Sequence, residues 1–214
     1  MATPTSLRRQ IADLAQLAGG DLDELFRRVS DARSPRLREA LLDVLPSLVE
    51  SYGSAAAALA ADWYDELRAE AAATGRFSAI PTELGDTKVD SLVGWATRTA
   101  RSDDAFRMMI EGGMQKRIAN ASRVTVMQSS TADPRSAGWK RIGVGACAFC
   151  NMLIDRDQLY SEATADFASH DHCNCQAYPL IKGAEPIDVK KWTGPRPNIT
   201  DADRARVREY LATH

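Results

Sequence analysis

Between Trp139 and Pro179 the chain gathers all four of its cysteines and two of its three histidines. They are Cys147 and Cys150, then, after nineteen residues, His170, His172, Cys173 and Cys175, reading C-x2-C followed by H-x2-C-x-C. Thiolates and imidazoles grouped in this way suit zinc, which takes four N or S ligands in a tetrahedron. The first pair follows Gly143 and Gly145, and glycine lets backbone amides approach two sulfurs that share one ion. His170 and Cys173 are three apart, which suits a helical turn or a knuckle. Cys173 and Cys175 are two apart and would face one side of an extended strand. The second half therefore offers more donors than one zinc needs. The expected ligand set is Cys147, Cys150 and His170, with Cys173 or Cys175 as the fourth. His172 is expected to be solvated or to support a ligand from behind.

Four protein ligands close the coordination shell, so the expected role of Zn2+ is structural. The catalytic patterns that use zinc or cysteine fit less well. A zinc deaminase needs H-x-E before P-C-x-x-C, and no histidine here is followed by x-E. Neither H-E-x-x-H nor G-x-S-x-G occurs. The C-A-F-C segment lacks the βαβ surroundings of a thioredoxin-like motif, and a Cys173–His170 nucleophile pair would be quenched by metal. The strongest catalytic alternative is an HNH-type nuclease using His170, His172 and Asn174 on a second metal, which removes the same residues from the zinc. A nucleic-acid-binding zinc module is a third reading. Arg135, Lys140 and Arg141 form a short basic cluster, and a charge run of this length is usually solvated surface.

The remainder of the chain has to position this segment. Its 214 residues suffice for one domain, or a helical domain with a small appendage. A net charge of -2 gives no bulk attraction to DNA or anionic membrane. No apolar run reaches the roughly eighteen residues of a membrane span, and the alanine-rich stretch 55–61 is short and amphipathic. MATPTSLRRQ has no apolar signal core, so cytoplasmic synthesis is expected. Thiols stay reduced there, and four cysteines then read as ligands before disulfides.

Leu7, Ile11, Leu14 and Leu17 share one helical face, which Gly19-Gly20 should stop. Asp21 with Glu24 resembles a capping box for a short helix turning Leu22, Leu25, Phe26 and Val29 inward. Ser34-Pro35 opens the next helix, carrying Leu37, Leu41, Leu42 and Leu45 until Pro46 kinks or breaks it. Leu48, Val49, Tyr52, Leu59, Trp63 and Leu67 continue at helical spacing towards Gly75. Residues 77–82 read as extended, because Pro81 biases Ile80 away from helix. Val89, Leu92, Val93 and Trp95 predict a helix ending near Arg101. Asp103 caps another with Phe106, Met108, Met109 and Ile110, interrupted at Gly112-Gly113 and resumed through Ile118 and Val124 to Met127. The methionines read as core filler. Asp133-Pro134 closes the helical region, and Trp139–Val144 is a short β run. Beyond Pro179 a Pro/Gly-rich linker leads to a last helix capped by Thr200 and Asp203.

The expected class is mainly α with a small C-terminal α+β zinc-binding module. Residues 1–132 form the helical domain, 133–180 the module, and 181–214 a linker and terminal helix. The 139–179 segment has few large apolar residues and should not fold alone. Structural zinc contributes on the order of 10–16 kcal/mol of apparent binding energy, which becomes folding energy. Without metal the whole segment is expected to be disordered while the helices persist.

From Asp133 to Pro179 the chain resembles the C-terminal signature of actinobacteriophage minor head proteins, the Mu F-like head morphogenesis family. The matching pieces are Asp133-Pro134-Arg135, Trp139 followed by Arg141, Cys147-x2-Cys150 with Met152-Leu153, Tyr160, and His170-x2-Cys173-x-Cys175 before Pro179. These cover about a fifth of the chain; the alanine-rich helical half is similar in character. The family commonly shows an Arg-Gly step after the first knuckle, where this chain has Asp155-Arg156-Asp157. The resemblance implies a minor structural protein of a tailed-phage or prophage head rather than an enzyme, made in the bacterial cytoplasm and located in the virion. It implies a place at the portal vertex, with the portal protein and other head proteins as partners and packaged DNA as a further one. The work implied is head morphogenesis or DNA packaging and ejection, with no membrane partner and no small-molecule substrate.

Overall fold

The structure is a computed structural model that describes residues 2–29, 34–143, 148–155, 159–161, 167, 169–173 and 175–182. Helix α1 spans Pro4–Arg28, α2 Pro35–Glu70, α3 Val89–Thr99 and α4 Asp103–Ala132. Strand β1 (Ser136–Ile142), helix α5 (Ala148–Asp155) and strand β2 (Gln176–Ile181) follow. The protein is mainly helical, and α2 packs most extensively on α4. No helix among the described residues is long and apolar enough to cross a membrane.

Local signals set several of the helix starts. Thr3 and Ser6 form a reciprocal capping box ahead of Pro4, and the Ser34 side chain accepts from the Leu37 amide with Pro35 at the first helical position. Ser102, rather than Asp103, caps α4 through the Ala105 amide; Asp103 and Asp104 occupy the first turn, where carboxylates favour the helix dipole.

The interior breaks expected from sequence do not occur. Helix α1 runs straight through Gly19-Gly20 and α4 through Gly112-Gly113. A mid-helix glycine costs only about 0.5–1 kcal/mol, and at Gly112 and Gly113 it permits close packing. A Cβ on Gly113 would stand 2.4 Å from Leu92 Cδ1 of α3. Pro46 likewise lies inside α2, between Leu45 and Val49, both fully buried. Burial on both sides outweighs the ~3 kcal/mol a proline costs a helix interior. Asp21 caps nothing; its carboxylate accepts from the Tyr52 hydroxyl at 2.7 Å, joining α1 to α2. Leu17, expected inward, is 60% exposed, while Ala18 takes the buried position. Met114 and Met127 are core, but Met108 is exposed.

The extended 76–88 stretch lies along the helices, held by the Asp65 carboxylate on Ser78 and Ala79 and by Thr125 Oγ1 on the Thr82 amide. At the far end of α4, buried Asp133 receives Arg68 Nε at 3.0 Å and the Tyr64 hydroxyl at 3.2 Å. Arg68 also donates to the carbonyls of Thr74 and Gly75. The Asp133-Pro134 turn is thereby locked to the end of α2.

β1 and β2 form an antiparallel pair with Trp139 opposite Pro179 and Arg141 opposite Ala177. A bulge between Ser136 and Trp139 contains Gly138, whose φ of 123° is left-handed. A Cβ there would meet the Tyr160 carbonyl oxygen at 2.3 Å. Beside it, Trp139 exchanges two backbone hydrogen bonds with Tyr160 and stacks on its ring at 4.4 Å. Gly138→Ala is therefore expected to cost at least ~1–3 kcal/mol from backbone strain alone, read as a lowered thermal midpoint. An unchanged midpoint would show that this bulge is not under steric control. The pair packs on α4, and its buried residues belong to the same hydrophobic cluster as the helices.

Candidate metal centre

Two elements bring the sulfurs together. α5 carries Cys150, and the segment 169–175 returns from it to β2 carrying Cys173 and Cys175. The three sulfurs lie within 4.8 Å of one another, and all three cysteines are buried. Cys150 Sγ stands 3.7 Å from Cys173 Sγ. In a zinc tetrahedron with Zn–S bonds of ~2.3 Å, neighbouring sulfurs stand about 3.8 Å apart. The donor set thus has the chemistry and spacing to hold a soft or borderline metal ion. None of the three is in a disulfide.

His170 stands beside this group, with Nε2 3.3 Å from Cys150 Sγ. Its Nδ1 lies 2.6 Å from the Asp171 carbonyl. Only a donor can face a carbonyl, so Nδ1 carries a proton, the arrangement that orients a metal-binding imidazole through its other nitrogen. Both late cysteines join Cys150, so the expected choice of Cys173 or Cys175 becomes a pair. Three sulfurs leave one position of a tetrahedron, for which His170 and Cys147 are the candidates; Cys147 lies outside the described residues. His172 has a left-handed φ of 56°. It is exposed, and its Nδ1 donates to Gln115 Oε1 at 3.0 Å. Asn174, the remaining residue of the nuclease reading, lies outside the described residues, as does the expected terminal helix.

The electrostatics favour one thiolate even before metal enters. Cys173 is held well below the usual thiol range by hydrogen bonds from Cys150 and Cys175, with Arg123 adding attraction. The bond to Cys173, a second to Cys175 and burial push Cys150 up. Cys175 rises to about 11: its bond with Cys150 pulls down, and its bond with Cys173 together with burial outweighs that. A divalent ion would displace the shared protons, because only the thiolate is a good ligand.

Arg123, which the motif reading missed, is the organising side chain behind the sulfurs. It is fully buried in α4. Its Nε donates to the Cys175 carbonyl at 2.9 Å, one terminal nitrogen to the Cys173 carbonyl, and the other to Asn120 Oδ1 at 2.7 Å. Asn120 Oδ1 also accepts from the Ser169 hydroxyl. Burial lowers the Arg123 pKa and the thiolates oppose that; guanidinium stays charged in proteins regardless. The available signal was a lone arginine among the small and apolar residues of ANASRVTVM, where a helix should face its core. Arg141 is a related surprise. It is not solvated surface: it is buried, with its guanidinium 3.8 Å from the Phe167 ring centroid. Arg123 lies over the same ring at 4.9 Å. The basic cluster suggested by sequence is thus divided, since Arg135 spends its Nε on the Thr74 carbonyl.

Gly143 explains one of the glycines before the first cysteine pair. A Cβ there would stand 2.9 Å from Cys175 Sγ, so any side chain would press on the cluster. To identify the fourth ligand, Cys147→Ser and His170→Ala can be compared for retained metal by elemental analysis. Loss in one and retention in the other assigns it.

Residues 2–194 match the family model described as VG15 protein. No curated protein and no solved structure matches the chain at a significant level.

Proposed function

We propose a minor structural role in the phage head for this chain, which belongs to the VG15 protein family, a family of phage gene products. The observation that carries the reading is the family match from residue 2 to residue 194, and a virion-type structural protein is the role it suggests. The finer assignment, a Mu F-like head morphogenesis protein at the portal vertex, draws on the residues of the 133–179 signature. The portal protein and other head proteins are its proposed partners, with the packaged DNA passing nearby.

The proposed metal is zinc, bound as a staple by Cys150, Cys173 and Cys175 with Cys147 or His170. Burial of the sulfurs supports stapling over turnover, because closed sulfur-rich sites hold structure while catalytic sites keep a position open to water. The helices then serve as a frame that presents a rigid loop to neighbouring head proteins.

Mass spectrometry of purified particles tests the role. A few to a few tens of copies of the chain per particle are expected, on the order of a vertex component and far below a major capsid protein. Absence from both mature particles and procapsids would overturn it.

A further inference from the structure

The three cysteines of the centre are not equally sheltered. Cys150 and Cys175 are each 1% exposed, and Cys173 is 8% exposed. Cys173 is also the one of the three that lines a cleft of about 60 Å³ between α1 and α4. Ile11, Ala12 and Ala15 form the α1 wall of that cleft, and Gln115 and Ala119 the α4 wall. Ala12 and the neighbouring His172 are exposed, so the cleft opens to solvent. At ~10–15 Å³ for each oxygen-sized group, it has room for hydrogen peroxide, which is two oxygens long.

A second sulfur stands ready behind the first. Cys150 Sγ is 3.7 Å from Cys173 Sγ, roughly 1.7 Å beyond the length of a disulfide bond, a gap of the size that side-chain rotation closes. Cys175 is the poorer partner for Cys173. The two are two residues apart, and Arg123 fixes both of their carbonyls, so a bridge between them has to deform that short segment. The Cys175 sulfur is also hemmed in by Gly143, where a Cβ would stand 2.9 Å from it.

We propose that Cys173 is a site of oxidation by hydrogen peroxide entering through this cleft, and that Cys150 converts the product into a Cys150–Cys173 disulfide. The Cys173 thiolate attacks one peroxide oxygen, the O–O bond breaks and hydroxide leaves, so that the sulfur becomes a sulfenic acid. The Cys150 thiolate then attacks that sulfur, the S–O bond breaks and a second hydroxide leaves. Two thiolates give up two electrons, and one peroxide is reduced to two hydroxides. The bridge takes two sulfurs away from any ion, so metal and disulfide exclude one another. It also ties α5 to the 169–175 segment through the same two residues. The centre thus has two closed forms, an ion in a reducing compartment and a covalent bridge in an oxidising one. The metal half of this inference rests on the zinc staple proposed above, and the bridge does not.

The test treats the full chain, loaded with zinc, with hydrogen peroxide and follows it by non-reducing peptide mapping, a zinc-sensitive dye and hydrogen exchange. The Cys150–Cys173 bridge is expected to appear as zinc is released. α5 should keep its exchange protection after the ion has left, whereas chelation under reducing conditions removes it. Dithiothreitol should restore the thiols and with them the capacity for zinc. In Cys150→Ser, dimedone, which traps sulfenic acids, should label Cys173 and neither Cys147 nor Cys175. Ala12→Leu, at an exposed position, should slow bridge formation several-fold by filling the cleft. The same bridge in a chain found to hold no zinc would sink the staple and leave this inference standing; zinc held firmly with no such bridge does the reverse. Bridging through Cys147 or Cys175 instead, dimedone on another cysteine, or an unchanged rate in Ala12→Leu overturns the proposal.

Discussion

Arg123→Met is expected to lower folding stability by ~3–5 kcal/mol, the cost of breaking a buried charged network from one side. The variant keeps most of the side-chain volume and removes every donor. The carbonyls of Cys173 and Cys175 then lose their partner inside the core, at ~1–3 kcal/mol for each group left unsatisfied. Replacing a whole buried ion pair by apolar residues is often neutral, but here the acceptors and the sulfurs stay behind. Removal of the cation also raises the cost of gathering negative sulfurs, so metal affinity should fall together with stability. Arg123→Lys restores charge but not the fork: one ammonium cannot reach two carbonyls and Asn120 in the same plane. It is expected to recover part of the stability and little of the metal content. Urea midpoints with metal content by elemental analysis measure both. A methionine variant with a wild-type midpoint and full metal would show that Arg123 is a passenger.

Arg123 also shows where the sequence stops being legible. The cysteine spacing announced a metal-binding segment because ligand chemistry is written in residue type and separation. The side chain that organises that segment is some fifty positions upstream, and no local pattern links the two. Helix starts were readable for a similar reason. Ser34-Pro35 caps through atoms three residues apart, so the signal and its cause lie together. The stops expected at Gly19-Gly20 and Gly112-Gly113 and a break at Pro46 do not occur, because propensity is a local quantity of about 1–3 kcal/mol. Packing decides Gly113, and the buried Leu45 and Val49 carry the helix through Pro46. Gly113 is glycine because Leu92 of α3 lies on it, a contact invisible until α3 and α4 are placed. Arg141 was misassigned to the surface on the same logic, since its strand is covered and Phe167 receives its guanidinium.

Metal removal is the second large effect, and the structure divides its consequence. From sequence alone the entire 139–179 segment should depend on the ion. In the fold, β1 and β2 are held by their own ladder and by α4, with Trp139 and Tyr178 buried and Tyr178 edge-on to Trp63 of α2 at 5.9 Å. Those contacts need no metal. α5 is eight residues long, too short to persist without tertiary support, and it reaches the rest of the fold mainly through β1. The 169–175 segment has intermediate support from Arg123, Asn120 and Gln115. Chelation under reducing conditions is therefore expected to abolish hydrogen-exchange protection in α5, reduce it across 169–175, and leave β1, β2 and the four long helices protected. Cys150→Ser, which removes the sulfur 3.7 Å from Cys173 Sγ and 3.3 Å from His170 Nε2, should reproduce that pattern without chelator. Loss of protection through the helices as well would make the centre a condition of the whole fold. An unchanged pattern in α5 would mean that the sulfurs hold no ion and that packing alone sustains the loop. Only the graded outcome, with α5 lost and the strand pair kept, agrees with a staple added to a core already closed by α4.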